Sequence, residues 1–184
     1  MALAHVYLAP GFEEVELITI VDVLRRGGVD TRLVALDEAE AHTGAHGITV
    51  AADLPFSTAA NAAPDLIVLP GGGPGTQALL VSVALHERLR AQHAAGRRVA
   101  AICAAPMVLA QAGLLNGIDA CCYPGCEGAL VDGGATVSAY NVVEAGAITT
   151  SRGPATAASF ALTLLQQLTD AATAQQVGRA MLYL

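Results

Sequence analysis

Cys103 is the residue whose surroundings most favour reactivity. It closes the apolar run 98–102 and is followed at once by Ala104-Ala105-Pro106, which opens a helix over 107–112. A strand that turns directly into a helix leaves the thiol in a sharp elbow beside unpaired helix-start N–H groups. Such donors stabilise a thiolate and lower a cysteine pKa from about 8.5. The same position also suits a small buried core residue, since free cysteine is among the most buried residue types. Cys121, Cys122 and Cys126 have no such elbow. As metal ligands they lack a two-residue-spaced pair and a neighbouring histidine.

Two other segments carry groups that could serve this thiol. Gly71-Gly72-Gly73-Pro74-Gly75 follows one apolar run and precedes a helix. It has the context of a phosphate cradle, yet its spacing is not the dinucleotide fingerprint and Thr76 is its only side-chain anchor. Its backbone N–H groups would serve equally as an oxyanion hole, or the loop is a plain tight turn. Glu13, Glu14 and Glu16 open a helix, where carboxylates complement the dipole. One of them could instead meet the thiol, and a buried carboxyl has a raised pKa and can relay a proton. His5, His42, His46, His86 and His93 all precede Cys103, so no dyad with a downstream histidine can form. Each reads as a surface or helix-face residue.

The elements that would position these groups alternate. Residues 3–9 read as a buried strand stopped by Pro10-Gly11, and 13–26 as a helix with acids first, arginines last and Gly27-Gly28 after. Residues 30–36 form a second strand and 46–53 a hairpin or edge element. Residues 65–69 and 98–102 are continuous apolar strands, with a helix over 82–95 between them and Ser82 as its N-cap. Short strands fill 119–150, Gly153-Pro154 opens a helix to 168, and 170–184 is a terminal helix. Strand–helix alternation implies right-handed crossovers and an α/β three-layer sandwich, a mostly parallel sheet with helices on both faces. No repeat or linker interrupts residues 1–184, which read as one domain. Ligands of such sheets bind beyond the carboxyl ends of the strands, so the loops 10–16, 70–75 and 102–106 are expected to converge.

Composition narrows the function. Hydrophobic residues make up 54% of the 184 and charged residues 14%, enough for a sizeable core. There are 38 alanines, and all nine basic residues are arginine. Without lysine there is no Schiff base on a side chain and no Gly-Lys-Ser/Thr phosphate loop. A net charge of −7 argues against nucleic acid. The longest apolar run, 99–110, is too short to span a membrane and contains Pro106. The N-terminus lacks the basic start of a secretion signal, and four cysteines, two of them adjacent, make a poor disulfide framework. A reduced, cytoplasmic protein is expected.

Five motifs in order, Leu8-Ala9-Pro10-Gly11-Phe12-Glu13-Glu14-Val15-Glu16 with Val21-Asp22-Val23-Leu24-Arg25-Arg26, Leu69-Pro70-Gly71-Gly72, Ala100-Ala101-Ile102-Cys103-Ala104-Ala105-Pro106 and Thr150-Ser151-Arg152-Gly153-Pro154, resemble the ThiJ/PfpI superfamily. The resemblance covers nearly the whole chain and lies in the branch of the parkinsonism-associated protein deglycase and bacterial YajL. It implies a flavodoxin-like fold, a homodimer and a nucleophile at Cys103. It also implies a protonated Glu16 that donates to the Cys103 sulfur, and Gly72 and Ala104 N–H groups that face the substrate oxygen. Asp22 and Arg152 match a family ion pair near the dimer interface. Family members proposed as glyoxalases often carry a histidine in the segment reading Cys122-Tyr123-Pro124. Tyr123 stands there instead, and a phenol is a poorer proton shuttle near pH 7. The protease and glutamine-amidotransferase branches need a histidine beside or after the cysteine, and this chain has none.

Two functions are expected to compete. One is a metal-free, cofactor-free enzyme acting on small electrophilic carbonyl compounds, α-oxoaldehydes or their early glycation adducts, through Cys103 and Glu16. The other is an oxidative-stress sensor or redox-gated chaperone in which Cys103 becomes a sulfinate. A lyase or hydratase on another electrophile is a third and weaker reading.

Overall fold

In the computed structural model, which describes residues 1–183, the strands β1 (Leu3–Leu8), β2 (Asp30–Ala35), β5 (Leu66–Leu69), β6 (Arg98–Ile102), β9 (Val142–Ala145) and β10 (Ile148–Ser151) form one six-stranded sheet. Its order is β2-β1-β5-β6-β10-β9, with β9 antiparallel and every other pairing parallel. Two small sheets lie outside it. One is the hairpin β3 (Ala41–Thr43) with β4 (Thr49–Ala51), and the other pairs β7 (Asp119–Ala120) with β8 (Thr136–Val137). The helices are α1 (Glu14–Arg26), α2 (Phe56–Ala59), α3 (Gly73–Val81), α4 (Val83–Ala94), α5 (Pro106–Gln111), α6 (Glu127–Asp132), α7 (Ala157–Leu168) and α8 (Ala171–Ala180).

The strands are buried on both sides, and successive side chains alternate between two cores. Ala4, Val6 and Leu8 of β1, Leu66 and Val68 of β5, and Ala100 and Ile102 of β6 pack under α1, α7 and α8. Tyr7, Ile67, Leu69, Val99 and Ala101 point the other way, toward α3, α4 and α5. From β1 the chain passes to β2 on one side and later to β5 on the other. The order therefore reverses at the carboxyl ends of β1 and β5, with β6 next in line.

The three-layer arrangement is the expected one, with local differences. The glycine run is not all loop: α3 begins at Gly73, with Pro74 in its first turn where a missing N–H costs nothing. Ser82, extended between α3 and α4, caps α4 through the Leu85 N–H. The stretch expected to hold only short strands contains α6, whose sequence EGALVD buries only Leu130 and so shows no apolar stripe. The terminal helix is shorter than expected and ends at Ala180; Leu184 lies outside the described residues.

The histidine expectation is corrected for His5 and His42, which are buried on strands; His86 is buried too, on helix α4. Burial, and then the nearby Arg88, push His5 down to about 4. His42 Nε2 lies 3.0 Å from Asp37 Oδ1. The four thiols are free. Among the described residues no helix is long and apolar enough to cross a membrane.

Phe160 of α7 is fully buried in the core beneath α1, the helix that carries the three glutamates. Phe160→Ala is expected to lower stability by about 3–5 kcal/mol, read as a shift of the urea unfolding midpoint.

Candidate active site

The loops after β1, β5 and β6 meet as expected, and Cys103 lies at their junction. Its φ is +65°, the left-handed region that side-chain-bearing residues rarely adopt. Both backbone groups of the elbow are clamped. The Cys103 N–H donates to the Ser151 carbonyl at 2.9 Å, and its own carbonyl accepts from the Tyr123 N–H at 2.7 Å. The side chain is only 8% exposed, so the reactive-thiol and core readings describe the same position: an elbow that is also packed.

Glu16, with no exposed surface, comes from the first turn of α1. Its Oε2 accepts the Gly71 N–H at 2.8 Å, while Oε1 is buried without an N–H or O–H donor. The carboxyl stands beside the Cys103 sulfur, and each acid shifts the other. A proton on the carboxyl would let it donate to Sγ. Space for the contact is made at Gly71. A Cβ there would lie 2.5 Å from Cys103 Cβ and 2.8 Å from Glu16 Oε2. Gly72 has a φ of +96° and caps α3, which turns its N–H toward Sγ; the Ala104 N–H is directed there as well.

The electrostatics correct one expectation. Burial is the largest influence on both acids, and it pushes Glu16 up to about 7 against one N–H bond from Gly71. Cys103 is not lowered by its elbow. Burial, then the charge of Glu16 and its hydrogen bond, push the thiol up to about 12, outweighing the N–H groups of Gly72 and Ala104. Once that carboxyl holds a proton its charge no longer acts on the thiol, and a neutral acid that donates to sulfur favours the thiolate instead of opposing it. The nucleophilic form is therefore protonated Glu16 beside the Cys103 thiolate, one proton shared by two sites.

Other expected residues fall less centrally. Asp22 and Arg152 do not pair within the chain. Asp22 Oδ2 accepts from Arg26 Nε at 2.8 Å, one helical turn along α1. Arg152 lines a cavity of about 210 Å³ with Cys122, Glu127 and Ser138. Tyr123 is 49% exposed, and a Cβ on Gly153 would lie 3.1 Å from its ring. Glu13 and Glu14, indistinguishable from Glu16 by sequence, have separate tasks. Glu14 accepts from the His46 N–H at 2.6 Å, from the Ile48 N–H, and from the His46 ring at 2.8 Å, so it clasps the β3–β4 turn to α1. Burial would raise the Glu14 pKa, but these bonds outweigh it and lower it, while the carboxylate raises that of His46. Glu13, Glu14 and His46 hold ligand-type atoms within 4.8 Å of one another, and the clasp already occupies both Glu14 oxygens. Glu13 caps α1 through the Glu16 N–H.

Comparison with known proteins is consistent with this geometry. The model of the DJ-1/PfpI family matches residues 3–167. Protein dj-1beta of Drosophila melanogaster is 38% identical over 179 residues, 97% of this chain and 96% of that one. Its crystal structure superimposes with a TM-score of 0.95 at 37% identity, covering 98% and 97% of the two chains. The structure of Toxoplasma gondii DJ-1, oxidized, gives a TM-score of 0.94 at 33% identity, covering 99% and 98%. A Caenorhabditis elegans protein named glutathione-independent glyoxalase DJR-1.2 is 35% identical over 156 residues, 85% of this chain and 82% of its own.

A buried acid raised from 4.5 to about 7 binds its proton more tightly folded than unfolded. Its stabilising contribution is full below about pH 4.5 and is lost as pH rises through about 7. Glu16→Gln cannot ionise, so its stability relative to the native chain should improve between pH 5 and pH 8, by no more than about 3 kcal/mol. Thermal unfolding of both proteins at the two pH values checks this, and an equal offset at both would contradict it.

Proposed function

The chain belongs to the DJ-1/PfpI family, and from that premise we propose that it is a cofactor-free enzyme converting small α-oxoaldehydes such as methylglyoxal to hydroxy acids. The observation that carries this reading is a fully buried Glu16, holding its proton up to about pH 7, set beside a cysteine sulfur that the N–H groups of Gly72 and Ala104 favour as a thiolate. The name of the C. elegans relative, a glutathione-independent glyoxalase, supports the same reaction class.

The Cys103 thiolate attacks the aldehyde carbon and a C–S bond forms. The carbonyl π electrons move to oxygen, where the N–H groups of Gly72 and Ala104 stabilise the charge and Glu16 supplies a proton. Glu16, now a carboxylate, takes the hydrogen of that carbon as a proton and gives it to the neighbouring carbonyl oxygen, forming an enediol; the first hydroxyl then gives up its proton, which Glu16 returns to the second carbon. The electron pair stays within the substrate, so the hemithioacetal becomes a thioester of the 2-hydroxy acid and no redox partner is needed. Water cleaves the C–S bond, releasing the hydroxy acid and regenerating the thiol. Tyr123 cannot share this proton work as an imidazole would, so Glu16 performs it alone. The active unit in this reading is a homodimer, since Val15 and Ile18 on the outer face of α1, together with Ile48, are exposed apolar side chains.

A second reading is a redox sensor, favoured by the structure of an oxidised relative. The Cys103 thiolate attacks a peroxide oxygen and the O–O bond breaks, giving sulfenic acid; a second peroxide gives the sulfinate, which protonated Glu16 stabilises by a hydrogen bond. Graded peroxide is then expected to add two oxygens to Cys103 before Cys126, the most accessible of the other thiols, as read by peptide mass spectrometry. Even modification of all four cysteines would count against it.

The enzyme reading is tested by lactate formation from methylglyoxal in amine-free buffer. The native chain is expected to turn over, Cys103→Ser to form no lactate, and Glu16→Gln to lose about 10²–10⁴-fold. Native-like turnover in Cys103→Ser, or no product from the native chain, would overturn it.

A further inference from the structure

Beside Glu16 stands a second buried carboxylate for which the reaction has no step. Glu13 is 9% exposed and caps α1, its Oε2 accepting the Glu16 N–H at 2.7 Å. A glutamate three residues after a cap ordinarily folds back onto the cap's own N–H. That route is closed here, because the Glu13 N–H donates to the Gly71 carbonyl at 3.0 Å. Gly71 returns its N–H to Glu16 Oε2 at 2.8 Å. The three residues thus form a closed circuit, and the Glu16 side chain is left to extend toward Cys103.

The helix does not need this residue type at its cap. Serine, threonine, aspartate and asparagine are preferred, and a neutral serine would satisfy the same donor. A glutamate adds a full charge next to another buried acid, which costs stability unless the charge is used. We propose that Glu13 is a positioning residue whose carboxylate aims Glu16 at the thiol and whose negative charge increases the share of the proton that Glu16 holds over the Cys103 sulfur. This rests on the pairing of Cys103 and Glu16 described above.

The neighbouring charges are few. Cys103 faces Glu16 from the elbow, and the Gly71-Gly72 loop carries no charge. Helix α7, packed on α1, contains no charged residue. Beyond Glu13 stand Glu14, further along its own loop and helix, and His46 from the β3–β4 turn; the His46 ring is bonded to Glu14 and also feels Glu13. Because the His46 charge is matched by Glu14, the Glu13 charge is left to act on Glu16. In the singly protonated pair, removing that charge relieves the Glu16 carboxylate more than the thiolate, so the balance moves further toward the protonated sulfur.

The experiment is the pH profile of Cys103 alkylation by iodoacetamide, followed by mass spectrometry on the full chain. Glu13→Gln and Glu13→Ser remove the charge and keep an oxygen acceptor; Glu13→Asp keeps the charge. The two neutral variants should lower the alkylation rate at pH 7 by about 3–10-fold, with Glu13→Asp within twofold of native. In a Glu16→Gln background, Glu13→Gln should change the rate less than twofold, because no proton is left to move. An unchanged profile in whichever neutral variant folds, or an equal loss in Glu13→Asp, would overturn the proposal. Alkylation needs no turnover, so an absence of lactate would remove the enzyme reading and leave this test intact.

Discussion

A single proton shared by Glu16 and Cys103 governs what this site can do. Both acids are buried, and burial penalises either charge, so the pair resists double ionisation. With one proton present, its position decides the chemistry. On sulfur it leaves an inert thiol beside a carboxylate; on Glu16 it leaves a nucleophile beside a donor. The backbone divides its influence between the two forms. Gly71 donates to Glu16 and favours the carboxylate, whereas Gly72 and Ala104 face the sulfur and favour the thiolate. The balance rests on three N–H groups and on the charges nearby.

Holding that balance explains much of the surrounding architecture. Strands β1, β5 and β6 are neighbours in the sheet, so the loops bearing Glu16, Gly71 and Cys103 reach the same edge. A side chain on Gly71 would separate the acid from the thiol, and a non-glycine residue at the φ of Gly72 would strain the N–H aimed at Sγ. The left-handed Cys103 costs about 1–3 kcal/mol, and two backbone hydrogen bonds to Ser151 and Tyr123 hold it in place. The antiparallel β9 contributes through the same chain of supports, since it pairs with β10 and β10 ends in the Ser151 carbonyl.

What the residues disclosed follows from how local each signal is. Strands 66–69 and 98–102 are uninterrupted apolar segments, and the elbow at Cys103 is a contiguous strand–cysteine–proline pattern, so both were legible. Helix α6 was not, because it buries one residue and its partners lie elsewhere in the chain. Nor could the burial of His5, His42 and His86 be read from isolated histidines. The thiol's direction is not legible in the sequence, because the elbow N–H groups are local, whereas the opposing burial and Glu16 charge arise across a separation of 87 residues. Asp22 likewise found a partner one turn away in Arg26, nearer than Arg152.

The missing imidazole separates the two functional readings by the demands each makes. Aldehyde isomerisation asks one group to give a proton to oxygen, remove one from carbon and return one to the adjacent carbon. In the enzyme reading, with Tyr123 half exposed and no histidine bonded to Cys103 or Glu16 among the described residues, Glu16 has to recover its proton within each cycle. A pKa near neutrality suits that requirement, because a carboxyl at its ordinary value would remain ionised and would disfavour the thiolate. Peroxide oxidation asks less. It needs the same thiolate once, and the neutral acid afterwards serves only as a donor to the sulfinate. A site tuned for the more demanding reaction is therefore also competent for the simpler one, whereas a site evolved only to be oxidised would have no use for a carboxyl able to give up its proton near pH 7.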